Sequence, residues 1–153
     1  MNADKQISEL VYRSCLMLDA LDFKGYLDLC APEFRYSIVA YSPELKKEMV
    51  WQDVGKEELR HHLDLVPRHV RDTGTISRFP TVYSITYSAD GRRANALSGM
   101  QVYKTRLDGG ETTLFGVCRL HDVIELDSGN PRLFSRQVHM ETRQLGTGSQ
   151  IPF

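Results

Sequence analysis

Apolar residues near the start of the chain recur every three or four positions. Ile7, Leu10, Val11, Cys15, Leu18 and Leu21 would share one side of a helix running from about Asp4 to Leu21. A shorter helix is predicted from Asp22 to Cys30, with Asp22 as its N-cap and Pro32 as its stop. The pattern then changes period. Phe34-Arg35-Tyr36-Ser37-Ile38 alternates, which predicts a first strand. Residues 42–54 follow neither period. A third helix is expected to open near Gly55 and carry Leu59, Leu63 and Leu65 inward until Pro67 breaks or kinks it.

The second half reads as a meander. Turn signals at Ala89-Asp90-Gly91-Arg92, Asp108-Gly109-Gly110 and Asp127-Ser128-Gly129-Asn130-Pro131 separate strands expected at 81–88, 93–106, 112–126 and 132–143. Turns this short join antiparallel neighbours. Helices first and a long antiparallel meander after predict an α+β domain, with the helices on one face of a curved sheet. The expected layout is one domain over 1–153: helical to 32, sheet with one inserted helix over 33–143, and a tail from 144.

The turns also set which side chains share a face. A last hairpin pivoting on Gly129 puts Cys118, Leu120, Ile124 and Leu126 on one side with Phe134, Val138 and Met140. The middle hairpin adds Ala94, Ala96, Ser98, Met100 and Val102, and the first adds Tyr83, Ile85 and Tyr87. Two charges break this apolar face, Asp122 and Arg136, and the register sets them opposite each other. Unpaired charges there would be very costly, so a cross-strand ion pair is expected. The other face carries Arg119, His121, Val123, Glu125, Ser135, Gln137, His139 and Glu141, with Leu97, Gln101 and Tyr103 alongside. Arg119, His121, Gln137, His139, Glu141 and Tyr103 have the residue types of a subunit interface.

Composition narrows the classes. In 153 residues, 41% are hydrophobic and 25% charged, with a net charge of −1, so neither disorder nor a basic nucleic-acid binder fits. No run of 18 apolar residues is present to span a membrane, and Met1-Asn2-Ala3-Asp4-Lys5-Gln6 does not begin a signal peptide, so a cytoplasmic location is expected. Cys15, Cys30 and Cys118 are too widely spaced for a zinc or iron–sulfur site within this chain and are expected to be packed, reduced thiols. His61 and His62 diverge on their helix, and Pro67 separates His62 from His69. His121, His139 and Glu141 form the one grouping with metal-like geometry, with too few ligands; no metal is expected. Arg68, His69, Arg71 and Arg78 would form a basic patch, solvated rather than ligand-binding. Gly146-Thr147-Gly148 opens no helix and makes no phosphate cradle.

Several segments, in order, resemble the small (β) subunits of Rieske-type aromatic-ring-hydroxylating dioxygenases, within the cone-shaped NTF2-like (SnoaL-like) superfamily. They are Leu10-Val11-Tyr12-Arg13, Leu18-Asp19, Tyr26-Leu27-Asp28-Leu29, Phe34-Arg35-Tyr36, Ser77-Arg78, Cys118-Arg119-Leu120-His121-Asp122-Val123-Ile124 and Arg132-Leu133-Phe134-Ser135-Arg136-Gln137-Val138. Thr81, Ile85 and Cys118 depart from the family's usual His, Asn and Gly. The resemblance implies a non-catalytic assembly subunit. The Rieske [2Fe–2S] cluster and the mononuclear iron would then belong to a large (α) subunit. The small subunits would self-associate as a trimer within a hexamer, and NADH would feed the oxygenase through reductase components.

Two other readings of the fold remain. A free-standing dehydratase or isomerase would use Asp122 as a base and Tyr83 or Tyr87 as a donor inside the cone. Arg136 opposes this, because a facing cation favours the carboxylate and weakens it as a base. The other is a small-ligand binding module built on the cone cavity.

Overall fold

The computed structural model describes residues 2–69, 74–141 and 153. Its elements are α1 (Ala3–Asp19), α2 (Phe23–Asp28), β1 (Cys30–Ser42), β2 (Lys47–Gly55), α3 (Lys56–His69), β3 (Thr75–Tyr87), β4 (Arg93–Thr105), β5 (Thr112–Glu125) and β6 (Arg132–Met140). The six strands form one sheet in the order β2-β1-β6-β5-β4-β3. Each neighbouring pair is antiparallel except β1 and β6, which run parallel. The helices pack on one side of this sheet, and no described helix covers the other, so the class is α+β.

Helix α1 starts one residue before Asp4, because the Asn2 side chain accepts from the Lys5 N–H and caps it. Its buried stripe is Ile7, Leu10, Val11, Ser14, Cys15 and Leu18. Leu21 does not extend that stripe. It lies beyond the helix in the left-handed region, at φ 59°, and is 58% exposed. Asp22 caps α2 by accepting from Gly25 N–H at 2.9 Å. That helix ends at Asp28, before Cys30, which already begins β1. Pro32 falls where the β1–β6 ladder is interrupted, between Cys30 and Arg35, so its missing N–H breaks no regular ladder bond. Pro67 does not end α3, whose backbone continues to His69.

The unassigned stretch at 42–54 contains β2, an edge strand hydrogen-bonded to β1. Strand β3 is longer than expected and starts at Thr75. It tolerates Pro80 because it too is an edge. The three meander turns each place a glycine at positive φ: Gly91 at 72°, Gly109 at 72° and Gly129 at 86°.

Two bulges alter the expected faces. One lies between Val82 and Ser84, the other between Val123 and Ile124. An extra residue in one strand shifts everything beyond it by one position, and so to the other face. At the second bulge Leu133 takes the buried position opposite Ile124, and Phe134 turns outward under the Arg93 guanidinium, 3.7 Å from its ring centroid. Ala94, Ala96, Ser98, Met100 and Val102 are all buried on the helix side, as are Cys118, Leu120, Ile124, Val138 and Met140. Phe153 is buried as well. Its backbone N–H donates to the Tyr36 hydroxyl at 2.8 Å, and its ring packs near Phe115 and Gly116.

Candidate functional site

The hollow between helices and sheet holds two charges at its floor. Asp122 comes from β5 and Arg136 from β6, in direct register. Arg136 Nε donates to Asp122 Oδ1 at 2.8 Å and Nη2 donates to Oδ2 at 3.0 Å, a two-pronged clamp with both side chains 0% exposed. Ala96, opposite Asp122 on β4, leaves room for it. Burial works against the charge on Arg136, and the Asp122 carboxylate more than offsets it, holding the guanidinium above its ordinary pKa. Arg136 is the bulkiest fully buried side chain among the described residues.

The tyrosines of this hollow are not the expected ones. Tyr83 is the bulge residue of β3. It points to the outer face, 60% exposed, with its phenol resting on Gly99, where a Cβ would collide with the hydroxyl oxygen. Tyr87 lies at the end of β3, 44% exposed, and donates to the Asp4 carboxylate at the start of α1. Neither reaches Asp122. The buried tyrosines are Tyr26 from α2 and Tyr36 from β1. Burial pushes the Tyr26 phenol well above its ordinary pKa, with Arg136 pulling it the other way. The alternation of Phe34 and Tyr36 on β1 was the signal for Tyr36; the six-residue α2 gave none for Tyr26. No described imidazole is buried there: His61 and His121 are exposed, and His62 and His139 half-buried.

A second ion pair joins two segments that the sequence leaves 59 residues apart. Asp19 Oδ1 accepts from Arg78 Nη1 at 2.7 Å and Oδ2 from the Arg78 backbone N–H at 3.2 Å. The Leu-Asp and Ser-Arg steps are therefore one fastening between the end of α1 and β3. Arg78 is buried and does not belong to an exposed basic patch. The side chains of Arg68 and His69, together with Arg71 and residues 146–148, lie outside the described residues.

The outer face gathers the remaining candidates. The His121 and His139 rings stack across β5 and β6, with centroids 4.0 Å apart and planes tilted by 38°. His139 Nε2 donates to Gln137 Oε1 at 2.7 Å. No group of three or more His, Cys, Asp or Glu among the described residues has a metal-holding arrangement. Arg119 lies directly opposite His139. Arg119 and Glu141 line a cleft of about 370 Å³ together with Phe79, Tyr83 and Gln101. Tyr103 donates to Gln101 Oε1 at 2.9 Å and meets the Phe79 ring edge-on at 5.7 Å.

All three thiols are buried. Burial raises Cys15 above its ordinary pKa and pushes Cys30 and Cys118 up to about 12. Protonated, separated thiols do not fit a thiolate-held cluster. No described helix is long and apolar enough to cross a membrane.

The fold thus joins a helix-lined hollow floored by the buried Asp122–Arg136 pair to an outer sheet face that no described helix covers. The chain belongs to the family of β, or small, subunits of multicomponent ring-hydroxylating oxygenases. It is 30% identical to the methanesulfonate monooxygenase hydroxylase subunit beta of Methylosulfonomonas methylovora, over 158 residues spanning 99% of this chain and 87% of that protein. It is 32% identical to the 2-aminobenzenesulfonate 2,3-dioxygenase subunit beta of an Alcaligenes species, over 146 residues spanning 95% and 96%. The fold matches a crystal structure described as the β subunit of an aromatic-ring-hydroxylating dioxygenase from Novosphingobium aromaticivorans. The TM-score is 0.84 at 20% identity, covering 99% of this chain and 97% of that one, which places the chain in the NTF2-like fold. A search of protein-family models found no match.

Proposed function

We propose that this chain is the non-catalytic assembly subunit of a two-subunit oxygenase. The Rieske cluster and mononuclear iron are held by its large partner, and electrons arrive from NADH through reductase components. The carrying observation is the fully buried Asp122–Arg136 clamp, which occupies the position where a free-standing enzyme of this shape would need an available base. Family membership supports the same reading. The outer face, with Arg119, His121, Gln137, His139, Glu141 and Tyr103, serves assembly, as a trimer of small subunits within a hexamer in the cytoplasm. Both relatives are named for sulfonates, which favours an organosulfonate as the substrate of the complete enzyme.

Co-expression with the large subunit, followed by size-exclusion chromatography, tests this. Both chains should co-elute in equal amounts, with iron tracking the complex and not the small chain alone. Separate elution of two folded chains would overturn the reading. The purified complex should oxidise methanesulfonate or 2-aminobenzenesulfonate faster than benzoate; the reverse order would remove the sulfonate assignment alone.

A further inference from the structure

Resting on that assembly reading and deepening it, we infer that the stacked His121–His139 pair makes self-association of this chain across its outer sheet face acid-labile. The occupant of that face is a second copy of the chain. Six strands at about 4.8 Å spacing, nine residues long at the shortest, present roughly 800 Å². That is about what each partner buries in a standard stable interface. The face also carries opposite signs close together: the Arg119 guanidinium and Glu141 carboxylate share one cleft, and Glu48 acts on His139 from the β2 side. A second copy can therefore bring a complementary charge to each. Exposed apolar side chains lie around them, among them Tyr41, Val50, Phe79, Tyr83 and Val117.

The imidazoles sit near the middle of this face, on the two central strands. The groups around His139 come from every neighbouring strand. Arg119 and His121 lie on β5, Gln137 on its own strand with Glu141 just beyond it, and Glu48 across β1 on β2. Rings 4.0 Å apart cannot both take a proton without strong repulsion. Partial burial already holds His139 below its ordinary pKa, with His121 pushing the same way and Glu48 opposing. Covering the pair with a second copy desolvates both rings further. The associated state then binds fewer protons than the free chain, so association is complete above about pH 6.5 and weakens as pH falls.

The test is sedimentation equilibrium of the full chain at pH 8.0 and pH 5.5, beside a His121→Gln/His139→Gln variant, with circular dichroism confirming the fold of each. The expected result is self-association at pH 8.0 that weakens severalfold at pH 5.5, up to about tenfold for each pKa unit of difference at each covered histidine. The double variant should associate with little change between the two pH values. Equal pH dependence in the wild type and the variant, or none in the wild type, overturns the inference. Association at pH 8.0 without acid lability refutes the switch and leaves the assembly reading standing. A monomer at pH 8.0 that still joins the large subunit refutes self-association on this face, and a chain that joins neither refutes both.

Discussion

The two faces of strands β5 and β6 are built from alternate residues of the same short segments, yet they treat charge in opposite ways. On the inner face Asp122 and Arg136 are fully buried and clamp each other through two hydrogen bonds. On the outer face, one and three residues away along the same strands, Arg119 and His121 are exposed, and Gln137 and His139 are half-covered. The polarity of a residue type therefore does not decide its role here. An inner charge is tolerated only because its partner is one strand away in perfect register, and that makes the pair a structural commitment. An outer charge keeps its water and stays available to another chain.

The contrast breaks most visibly at the clamp. Replacing Arg136 by Met leaves a buried carboxylate without its cation, which should cost about 3–5 kcal/mol. In a chain of this size that lowers the melting temperature by roughly 6–20 °C, read by thermal circular dichroism. The Asp122→Leu/Arg136→Met double variant should recover most of the loss, because neither buried charge remains. A single variant that melts like the wild type would mean the hollow is wet and the pair dispensable.

The second fastening should give a smaller loss. Asp19 is partly exposed, so water can take over some of what Arg78 loses. Asp19→Ala should cost about 1.5–3 kcal/mol by the same melting experiment, from loss of hydrogen bonds to a charged group. A loss as large as that of Arg136→Met would mean that burial is not what separates the two ion pairs.

The clamp was legible in the sequence and the fastening was not, for a physical reason. Asp122 and Arg136 belong to one hairpin, whose Gly129 turn fixes the count between them, so alternation alone pairs them. Asp19 and Arg78 meet only after a helix has docked on a distant strand, and nothing local encodes that distance. The same division covers the rest of the fold. The meander and its inner residues follow from turns and alternation. The parallel pairing of β1 with β6 joins segments about a hundred residues apart. The bulges at Tyr83 and near Leu133 each insert one residue without a signal, which is why Tyr83 and Phe134 turn outward. Tyr26 enters the hollow from a helix too short to show a period. Phe153 reaches the core from a segment that reads as a plain tail.

Thiol chemistry sharpens the inner side without perturbing it. Burial pushes Cys118 up to about 12, so at pH 8 it is almost wholly protonated as well as shielded. An ordinary thiol near 9 would carry about a thousandfold more thiolate at that pH, by three units of difference. Iodoacetamide at pH 8 should therefore leave the native chain unlabelled and label all three cysteines in guanidinium chloride, as read by intact mass. Rapid labelling of the native chain would place a cysteine on the open side.

The smallest expected effect on stability falls on the outer face, and it separates the two faces most cleanly. Arg119 forms no ion pair among the described residues and is exposed. Arg119→Gln should therefore change the folding free energy of the isolated chain by no more than about 0.5 kcal/mol. The same substitution removes a guanidinium from a surface proposed to be covered in the complex. Arginine is over-represented among the few residues that dominate such surfaces, and truncating one costs about 2 kcal/mol or more. The affinity for partner chains should then fall by roughly thirtyfold, measured by sedimentation of the co-purified complex. A variant that melts normally and assembles normally would show that the sheet's bare side is solvated rather than shared. A variant that assembles normally but melts early would mean that Arg119 supports the fold itself, and the division between the two faces would no longer hold at that position.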